Sequence, residues 1–320
     1  IAKQQHRDYK RKCYYNSLIM KQLVYVLFLL ILSMQISAQQ LPQLSLKHQN
    51  VFILNPAAAG QSDNNVINIV HREQWVGFDN APSTSLISYN QKIGLSSGVG
   101  GFLISDRTFP TSRLIVNLSY AYRIDMNDLS LSFGLSGLIM QYRFKNSDLT
   151  YKDILDPSLE LRSEQKWRPE ASFGLMLQSK SFYLQFAINQ LLQSNFNSFA
   201  VTDEGLIKNS RLFCFSGQYH FFMDAHNFSP GIFIKYAPSS PVESDVSIEY
   251  NYNEKVFGSI AYRWADALNF SVGYKFNRFK LAYSFDIITS SLKISTASSH
   301  EIMLSIDISK HSDASAPSLY

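Results

Sequence analysis

Three segments between residues 246 and 287 alternate apolar and polar side chains with a period of two. They read VSIEYNY (246–252), LNFSVGYKF (268–276) and FKLAYSFDI (279–287). In each segment, one face carries Val, Ile, Leu, Phe and Tyr, and the other face carries mostly Ser, Asn and charged residues. This period indicates half-buried β-strands, and its repetition predicts an all-β protein.

The same alternation, interrupted by turn residues, predicts fourteen strands. They lie near residues 66–75, 83–93, 98–106, 112–124, 129–144, 169–179, 181–189, 209–223, 228–237, 244–252, 256–264, 268–276, 279–287 and 299–309. The even-numbered connections are short, whereas the odd-numbered ones include the long segments 145–168, 190–208 and 288–298. Bacterial outer-membrane barrels sort their connections in this way, with short periplasmic turns and long outer loops.

A soluble β-sandwich shares the alternation but has no reason to sort its loops by parity. Tyrosines and a tryptophan also gather near strand ends, as in Tyr120, Tyr252 and Trp264, where interfacial aromatic girdles lie. We therefore predict a transmembrane antiparallel β-barrel of about 14 strands over residues 66–310, in the bacterial outer membrane.

The N-terminal region has the order of an export signal. Met20 and Lys21 precede an apolar run from Leu23 to Leu32, and Ser37-Ala38 supplies small residues for cleavage. We expect residues 20–38 to be a cleaved signal peptide with the mature N terminus at Gln39, and residues 1–19 to be an upstream extension outside the native product. The alternative is a genuine basic tail on an anchored protein.

The positive charge of the chain is concentrated in this region. The chain has a formal charge of +4, but residues 1–38 hold six Lys/Arg and one acidic residue, so residues 39–320 carry about −1. Basicity therefore gives no reason to expect a nucleic-acid partner. Residues 39–65 lack strands and form either a periplasmic segment or a plug, and residues 311–320 form a C-terminal tail.

Strand parity also predicts which polar side chains face the lumen. A three-residue turn after Tyr252 places Asp245 opposite Arg263 and Tyr250 opposite Gly258. The turn at Asn277-Arg278 places Lys275 opposite Lys280, an unfavourable pair of like charges that hydration at the periplasmic rim or a counter-charge would relieve. The predicted lumen-facing set is Arg113, Arg123, Asp245, Glu249, Arg263, Lys275, Lys280 and Asp286, with Asn117 and Asp307 on the same side.

Sequence motifs give little support for chemistry. The seven histidines have no pair at metal-ligand spacing, and Ser290 to Lys293 match Ser-x-x-Lys only formally. GVGG (98–101) opens a strand, where glycines allow a bend or a close backbone approach. Cys214 lies on a polar strand face with no adjacent histidine, which favours a passive lumen residue. We expect no cofactor, no metal and no enzymatic activity.

The first seventy residues after the signal carry a more specific pattern. FILNPAAAG (52–60) leads into HREQWVGFDNAPSTS (71–85) and GVGGFLISDRTFPTS (98–112), and SHEIMLSIDI (299–308) closes the barrel. This combination resembles the PorP/SprF family of the type IX secretion and gliding machinery of Bacteroidota. Ala58 and Phe109 depart from that pattern, where an aromatic residue and a glycine are common.

The resemblance implies a non-enzymatic outer-membrane barrel that supports export or surface anchoring of a large secreted protein, often an adhesin. It also implies a periplasmic lipoprotein or peptidoglycan-binding partner. Candidate partner-binding residues are Arg72, Gln74 and Trp75, together with Tyr151 and Trp167 in the charged loop 145–168, which is either a contact surface or a lid over the barrel. The alternative function is a passive porin or hydrophobic-solute channel, although a lumen of mixed charge fits a plugged barrel better.

Overall fold

The computed structural model describes residues 42–62, 64–145, 164–196, 207–208, 210–238, 240–290 and 298–309. The expected signal peptide, the C-terminal tail and Tyr151 lie outside these ranges. The described chain is all-β apart from three one-turn 3-10 helices at Lys47–Gln49, Val51–Ile53 and Pro56–Ala58. None of the helices in the described ranges is long and apolar enough to cross a membrane.

Seventeen strands are present in the described residues. In chain order they are β1 (Val66–Glu73), β2 (Ser83–Ile93), β3 (Ser97–Thr108), β4 (Thr111–Met126), β5 (Leu129–Phe144), β6 (Glu164–Ser179), β7 (Phe182–Asn189), β8 (Asn195–Phe196), β9 (Ile207–Lys208), β10 (Leu212–Tyr219), β11 (Phe221–Met223), β12 (His226–Tyr236), β13 (Glu243–Tyr252), β14 (Val256–Arg263), β15 (Ala267–Phe276), β16 (Phe279–Ile288) and β17 (Ser298–Asp307).

Fourteen of these strands form one closed antiparallel barrel, which confirms the predicted fold. Each barrel strand pairs with the next, β10 pairs with both β7 and β12, and β17 pairs with β1 to close the ring. The short strand β11 follows β10 after a break at His220 and pairs with the first residues of β12. Strands β8 and β9 form a separate two-stranded sheet.

The predicted register is confirmed where it was specific. Asp245 lies opposite Arg263 and Tyr250 lies opposite Gly258 in the β13–β14 pair. Lys275 lies opposite Lys280 in the β15–β16 pair. The alternation therefore reports correctly which side chains share a face of the wall.

The outer face of the wall is apolar, as a surface against lipid requires. Leu118, Leu135, Val246 and Val272 point outward and are well exposed. The inner face mixes Ser, Asn and charged residues with apolar side chains, many of them buried. Because these inner side chains have no lipid to cover them, the material that buries them must lie inside the barrel.

Most strand bounds differ from the prediction by one to three residues, the predicted strand 209–223 is divided into β10 and β11, and the largest shift is at the start of β6. Strand β6 begins at Glu164, five residues before the predicted start, and continues the pairing with β5 up to Phe144. Trp167 therefore belongs to the wall and not to a loop. It pairs with Gln141, and the next outward pair towards the barrel middle is Ile139 with Pro169. Sequence alternation missed this extension because Lys166 and Arg168 resemble loop residues.

The two ends of the barrel differ in their connections. Tight turns join β2 to β3, β4 to β5, β6 to β7, β13 to β14 and β15 to β16 at one end. The other end has short connections from β3 to β4 and from β14 to β15, but it also has the long connections. By the asymmetry of outer-membrane barrels, the end with tight turns is periplasmic.

Candidate functional site in the barrel lumen

The segment Pro42–Ser62, called the plug below, lies inside the barrel. Its side chains Leu44, Leu46 and Ile53 pack in one buried apolar cluster with wall residues. The wall members of that cluster are Val70, Leu86, Ile104, Ile115, Met140, Tyr142, Phe257, Ala282 and Met303. The barrel and the plug thus share one core, and burial of apolar surface favours keeping the plug in place.

The turn formed by Asn55–Gly60 approaches the wall at its glycines. The Asn55 Oδ1 atom accepts a hydrogen bond of 2.9 Å from the Ala57 backbone N–H and so caps the third 3-10 helix. Its Nδ2 atom donates to the Leu175 carbonyl at 2.9 Å and to Gln185 Oε1 at 3.2 Å. One buried asparagine therefore both shapes the turn and fixes it to strands β6 and β7.

Glycines opposite this turn leave no room for a side chain. A Cβ atom on Gly134 would lie 2.1 Å from the Ala57 nitrogen, and a Cβ atom on Gly98 would lie 2.1 Å from the Ala59 carbonyl oxygen. Both contacts are with backbone, which cannot rotate away. Gly98 is the first glycine of GVGG, so the close backbone approach predicted for that motif is present.

A buried ion-pair cluster joins the other half of the plug to the wall. Arg72 is 1% exposed; its Nη2 lies 2.7 Å from Asp286 Oδ2, and its Nη1 lies 3.2 Å from Glu301 Oε2. The plug completes this arrangement through Ser45 and Leu46. Their backbone N–H groups donate to the Glu301 carboxylate at 2.7 and 3.0 Å, and the Ser45 hydroxyl lies 2.9 Å from both Asp286 oxygens.

The cluster continues along the inner wall through Arg263. Its guanidinium lies 3.5 Å from Asp286, 3.5 Å from Asp245 and 3.8 Å from Glu243. Lys47 of the plug makes a close ion pair with Asp245, lies 4.0 Å from Glu243 and places its Nζ atom 4.2 Å from the centre of the Phe233 ring. Lys235 makes a close ion pair with Glu243.

Counting charges shows what the plug supplies. The wall contributes four buried carboxylates, from Glu243, Asp245, Asp286 and Glu301, but only three buried cations, from Arg72, Lys235 and Arg263. A fifth carboxylate, the partly exposed Asp266, also lies 3.3 Å from Arg263. The plug supplies the fourth cation, Lys47. A buried charge without a partner is costly, so the cation of the plug favours the docked position by pairing with Asp245.

Several predicted residues belong to this cluster or line the lumen. Asp245, Arg263 and Asp286 are buried within it, as described above. Glu249 accepts hydrogen bonds from Gln49 of the plug at 2.5 Å and from Asn251 at 2.7 Å. Lys280 hydrogen-bonds to Gln49 Oε1, and Lys275 is exposed at the periplasmic rim. Of the like-charged pair Lys275 and Lys280, Lys280 therefore contacts the plug, and Lys275 lies at the rim where water can reach it.

Arg113 and Arg123 lie on other parts of the wall, away from the plug cluster. Arg113 pairs with Asp106 at 2.7 Å, and Asp106 also accepts a hydrogen bond of 2.7 Å from Thr84. Arg123 lies near the periplasmic turns, 3.1 Å from Asp125 and within hydrogen-bond distance of the Leu95 carbonyl.

The candidate partner-binding residues are not brought together. Arg72 is enclosed between wall and plug, which corrects its placement on a contact surface. Gln74 and Trp75 follow β1 at the outer end and are half-buried; the Trp75 N–H donates to Ser299 at 3.1 Å. Trp167 is 46% exposed on the outward face of β6, a position typical of an interfacial girdle.

Sequence reasoning missed four cluster members: Lys47, Lys235, Glu243 and Glu301. Strand parity would have found Lys235, which shares a face with Ser229 and Phe233, and Glu301, which shares a face with Met303 and Ser305. Glu243 precedes the predicted start of its strand by one residue. Lys47 has no signal of this kind, because the plug has no strand period.

Within the described ranges, no group of three or more His, Cys, Asp or Glu side chains could hold a metal ion. Cys214 is buried, and its sulfur lies 3.9 Å from Asn189 Nδ2. The lumen chemistry that the structure displays is therefore ion pairing and hydrogen bonding between plug and wall.

Comparison with known proteins gives a family and a set of similar folds. The family described as type IX secretion system membrane protein PorP/SprF matches residues 36–306. No match was found among curated proteins. Similar solved structures include a Pseudomonas aeruginosa FadL homologue (9% identity, TM-score 0.47) and the P. putida toluene transporter TodX (10% identity, TM-score 0.47); each comparison covers 80% of this chain and 93% of the other. The CymD monoaromatic hydrocarbon channel is 13% identical with a TM-score of 0.44, over 80% of this chain and 90% of that one.

Proposed function

Because this chain belongs to the PorP/SprF family of type IX secretion system membrane proteins, we propose that it is a non-enzymatic barrel that supports export or surface anchoring of a large secreted protein. The family places the chain in the outer membrane as a component of that secretion system. The finer role, support of export or retention at the surface, is the proposal.

The plugged lumen is the observation that carries this proposal. The plug shares an apolar core with the wall and supplies a cation, Lys47, to the buried ion-pair cluster. A barrel filled in this way favours a role as a docking or anchoring component over that of an open conduit. The secreted protein would then meet the outer end of the barrel, where the long connections lie.

The alternative of a passive porin or hydrophobic-solute channel requires an open path through the plug. Reconstitution in liposomes distinguishes the two. We expect sugar uptake at the rate of empty liposomes from the intact chain, and rapid uptake would favour the porin.

The partners are proposed on the same basis. We propose a secreted surface protein at the outer end and a periplasmic lipoprotein or peptidoglycan-binding protein at the inner end. The connection 145–168 remains a candidate for the outer contact, with Tyr151 outside the described residues and Trp167 now assigned to the wall. Gln74 and Trp75, at the outer end of β1, remain candidates as well.

A complementation experiment tests the role. In a strain that lacks this barrel, surface labelling of whole cells would be compared with released protein in the medium, after complementation with the full chain or with a chain in which 148–161 is replaced by a short Gly/Ser linker. Shortening stops before Glu164 so that the pairing of β5 and β6 is kept. We expect normal barrel levels but lower surface retention; normal retention would exclude this loop as the contact.

A further inference from the structure

A cavity of about 360 Å³ opens at the periplasmic end between the plug and the wall. Its walls come from the turn regions of β13–β14 and β15–β16, from the ends of β17 and β1, and from the plug. We call it the periplasmic vestibule. Its volume falls within the range of about 300–1,000 Å³ that is usual for ligand sites.

The vestibule is lined by four cations. Lys255, Lys275, Arg278 and Lys280 border it, against two carboxylates, Glu254 and Asp307. Asp307 Oδ1 already accepts a hydrogen bond of 2.9 Å from the Ser309 N–H. The vestibule therefore has an excess of positive charge, although residues 39–320 as a whole carry about −1.

The arrangement of two of these cations is unfavourable without a counter-charge. Lys275 and Lys280 lie directly opposite each other in the β15–β16 pair, where like charges destabilise a sheet. Lys280 is held by Gln49 Oε1 and lies 4.8 Å from the centre of the Phe257 ring, but neither group neutralises it. Within the described residues, no carboxylate oxygen lies within 4.0 Å of the side chains of Lys255, Lys275 or Arg278.

The nearest acid towards the lumen is Glu249, which is hydrogen-bonded to Gln49 and Asn251 and offsets part of the charge of Lys280. It makes no ion pair within 4.0 Å with Lys255, Lys275 or Arg278. The remaining acids of the lumen belong to the cluster around Arg263. The vestibule thus combines accessible space with three cations, Lys255, Lys275 and Arg278, that make no ion pair with the described residues.

We propose that the periplasmic vestibule binds a carboxylate-rich peptide segment that enters from the periplasm. The cations recognise its carboxylates by charge-assisted hydrogen bonds, which are stronger than neutral ones. Amide side chains on the lining, including Asn64 and Asn90, offer donors and acceptors to the peptide backbone. A cavity of this size holds about twelve waters at about 30 Å³ each, which is more room than a single small anion fills.

The test is equilibrium binding to the full chain in detergent, measured by fluorescence polarisation. The probe is a labelled peptide of four glutamates with a free C terminus, and the comparison peptide has four glutamines and an amidated C terminus. We expect the glutamate peptide to bind with an affinity that falls with salt, and the glutamine peptide to bind at least tenfold more weakly. The Lys275→Gln/Arg278→Gln variant should lose at least tenfold in affinity for the glutamate peptide.

The matched control is Lys180→Gln, which removes one cation from another periplasmic turn, between β6 and β7. It should leave binding unchanged. Heat-modifiable mobility shows that each variant is folded, and removal of Lys275 relieves a like-charge contact and so favours folding. Equal binding by the parent chain and the double variant would overturn the proposal, as would inorganic phosphate binding as tightly as the glutamate peptide. These outcomes are independent of which protein the barrel helps to export.

Discussion

Replacement of Lys47 by methionine tests whether ion pairing holds the plug in the lumen. Lys47 is 6% exposed and is the cation that the plug adds to the buried cluster. Methionine keeps most of the length and apolar contact of the side chain but removes its charge. The wall would then hold four buried carboxylates against three cations.

The size of the effect follows from the burial of the cluster. Removing one partner from a buried ion pair costs about 3–5 kcal/mol, because the other charge stays in a region of low dielectric constant. If this cost falls on the docked state, the ratio of docked to undocked plug drops by roughly a hundred- to four-thousandfold. The undocked plug returns the wall carboxylates to water and leaves an open lumen.

Single-channel recording in planar bilayers measures that change. We expect rare, brief openings from the parent chain and frequent or lasting openings from Lys47→Met. Lys47→Arg should resemble the parent because it keeps the charge. The double variant Lys47→Met/Asp245→Asn removes one charge of each sign and leaves three buried cations with three buried carboxylates. It should therefore open less often than either single variant.

This comparison can refute the electrostatic reasoning. Lys47→Met with the conductance and stability of the parent would mean that apolar packing alone holds the plug. Openings in the double variant that equal the sum of the two single effects would mean that Lys47 and Asp245 are not coupled.

Three further changes test other parts of the fold. Gly134→Ala should displace the Asn55–Gly60 turn and lower the free energy of unfolding by about 1–3 kcal/mol or more, measured by thermal or denaturant unfolding. The control Gly137→Ala, whose Cβ would meet nothing within 4 Å, should resemble the parent chain. Equal effects of the two changes would contradict the observed contact. Val272 lies midway along β15 on the outward face, so Val272→Arg should make membrane insertion less favourable by about 2–4 kcal/mol. The control Phe276→Arg, at the end of the same face, should cost about 0–1 kcal/mol in the same folding assay. Burial lowers the pKa of His48 from 6.5 to about 4. Plug docking should therefore weaken as pH falls from 6.5 towards about 5, because in this range a water-exposed histidine protonates and the docked one does not. His48→Asn should lose this part of the pH dependence of channel opening, and an unchanged pH profile would count against the assignment.

The barrel could be predicted from the sequence because the alternation of side chains that specifies each strand is local and periodic. A strand with one face in lipid must alternate, so Val246, Ile248 and Tyr250 identify their face without knowledge of the partner strand. The register of β13 with β14 followed from the length of one turn. The same reasoning failed at β6, where the strand passes beyond the apolar belt and no longer needs outward apolar residues.

The plug interior could not be predicted, since its contacts are between residues far apart in sequence. Ser45 and Glu301 are separated by 256 positions, and nothing in either neighbourhood indicates the other. Gly98, in GVGG, could be recognised as a site of close approach, but the backbone that approaches it could not, and the approach at Gly134 was not predicted.

Arg72 shows how a local motif can mislead when strand parity is ignored. It stands in HREQW, between exposed His71 and Glu73, and a run of polar residues at a strand end resembles a contact surface. Yet Arg72 shares a strand face with Asn68 and Val70, and that face turns inward. Once it is inside, an arginine must find carboxylates, because a buried unpaired guanidinium would be too costly. Asp286 and Glu301 lie on the inward faces of β16 and β17, and with the plug they form a cluster that specifies one docked position of the N-terminal segment. The charges in this lumen therefore act on the conformation of the chain itself, and an exported partner would have to displace the plug or bind outside it.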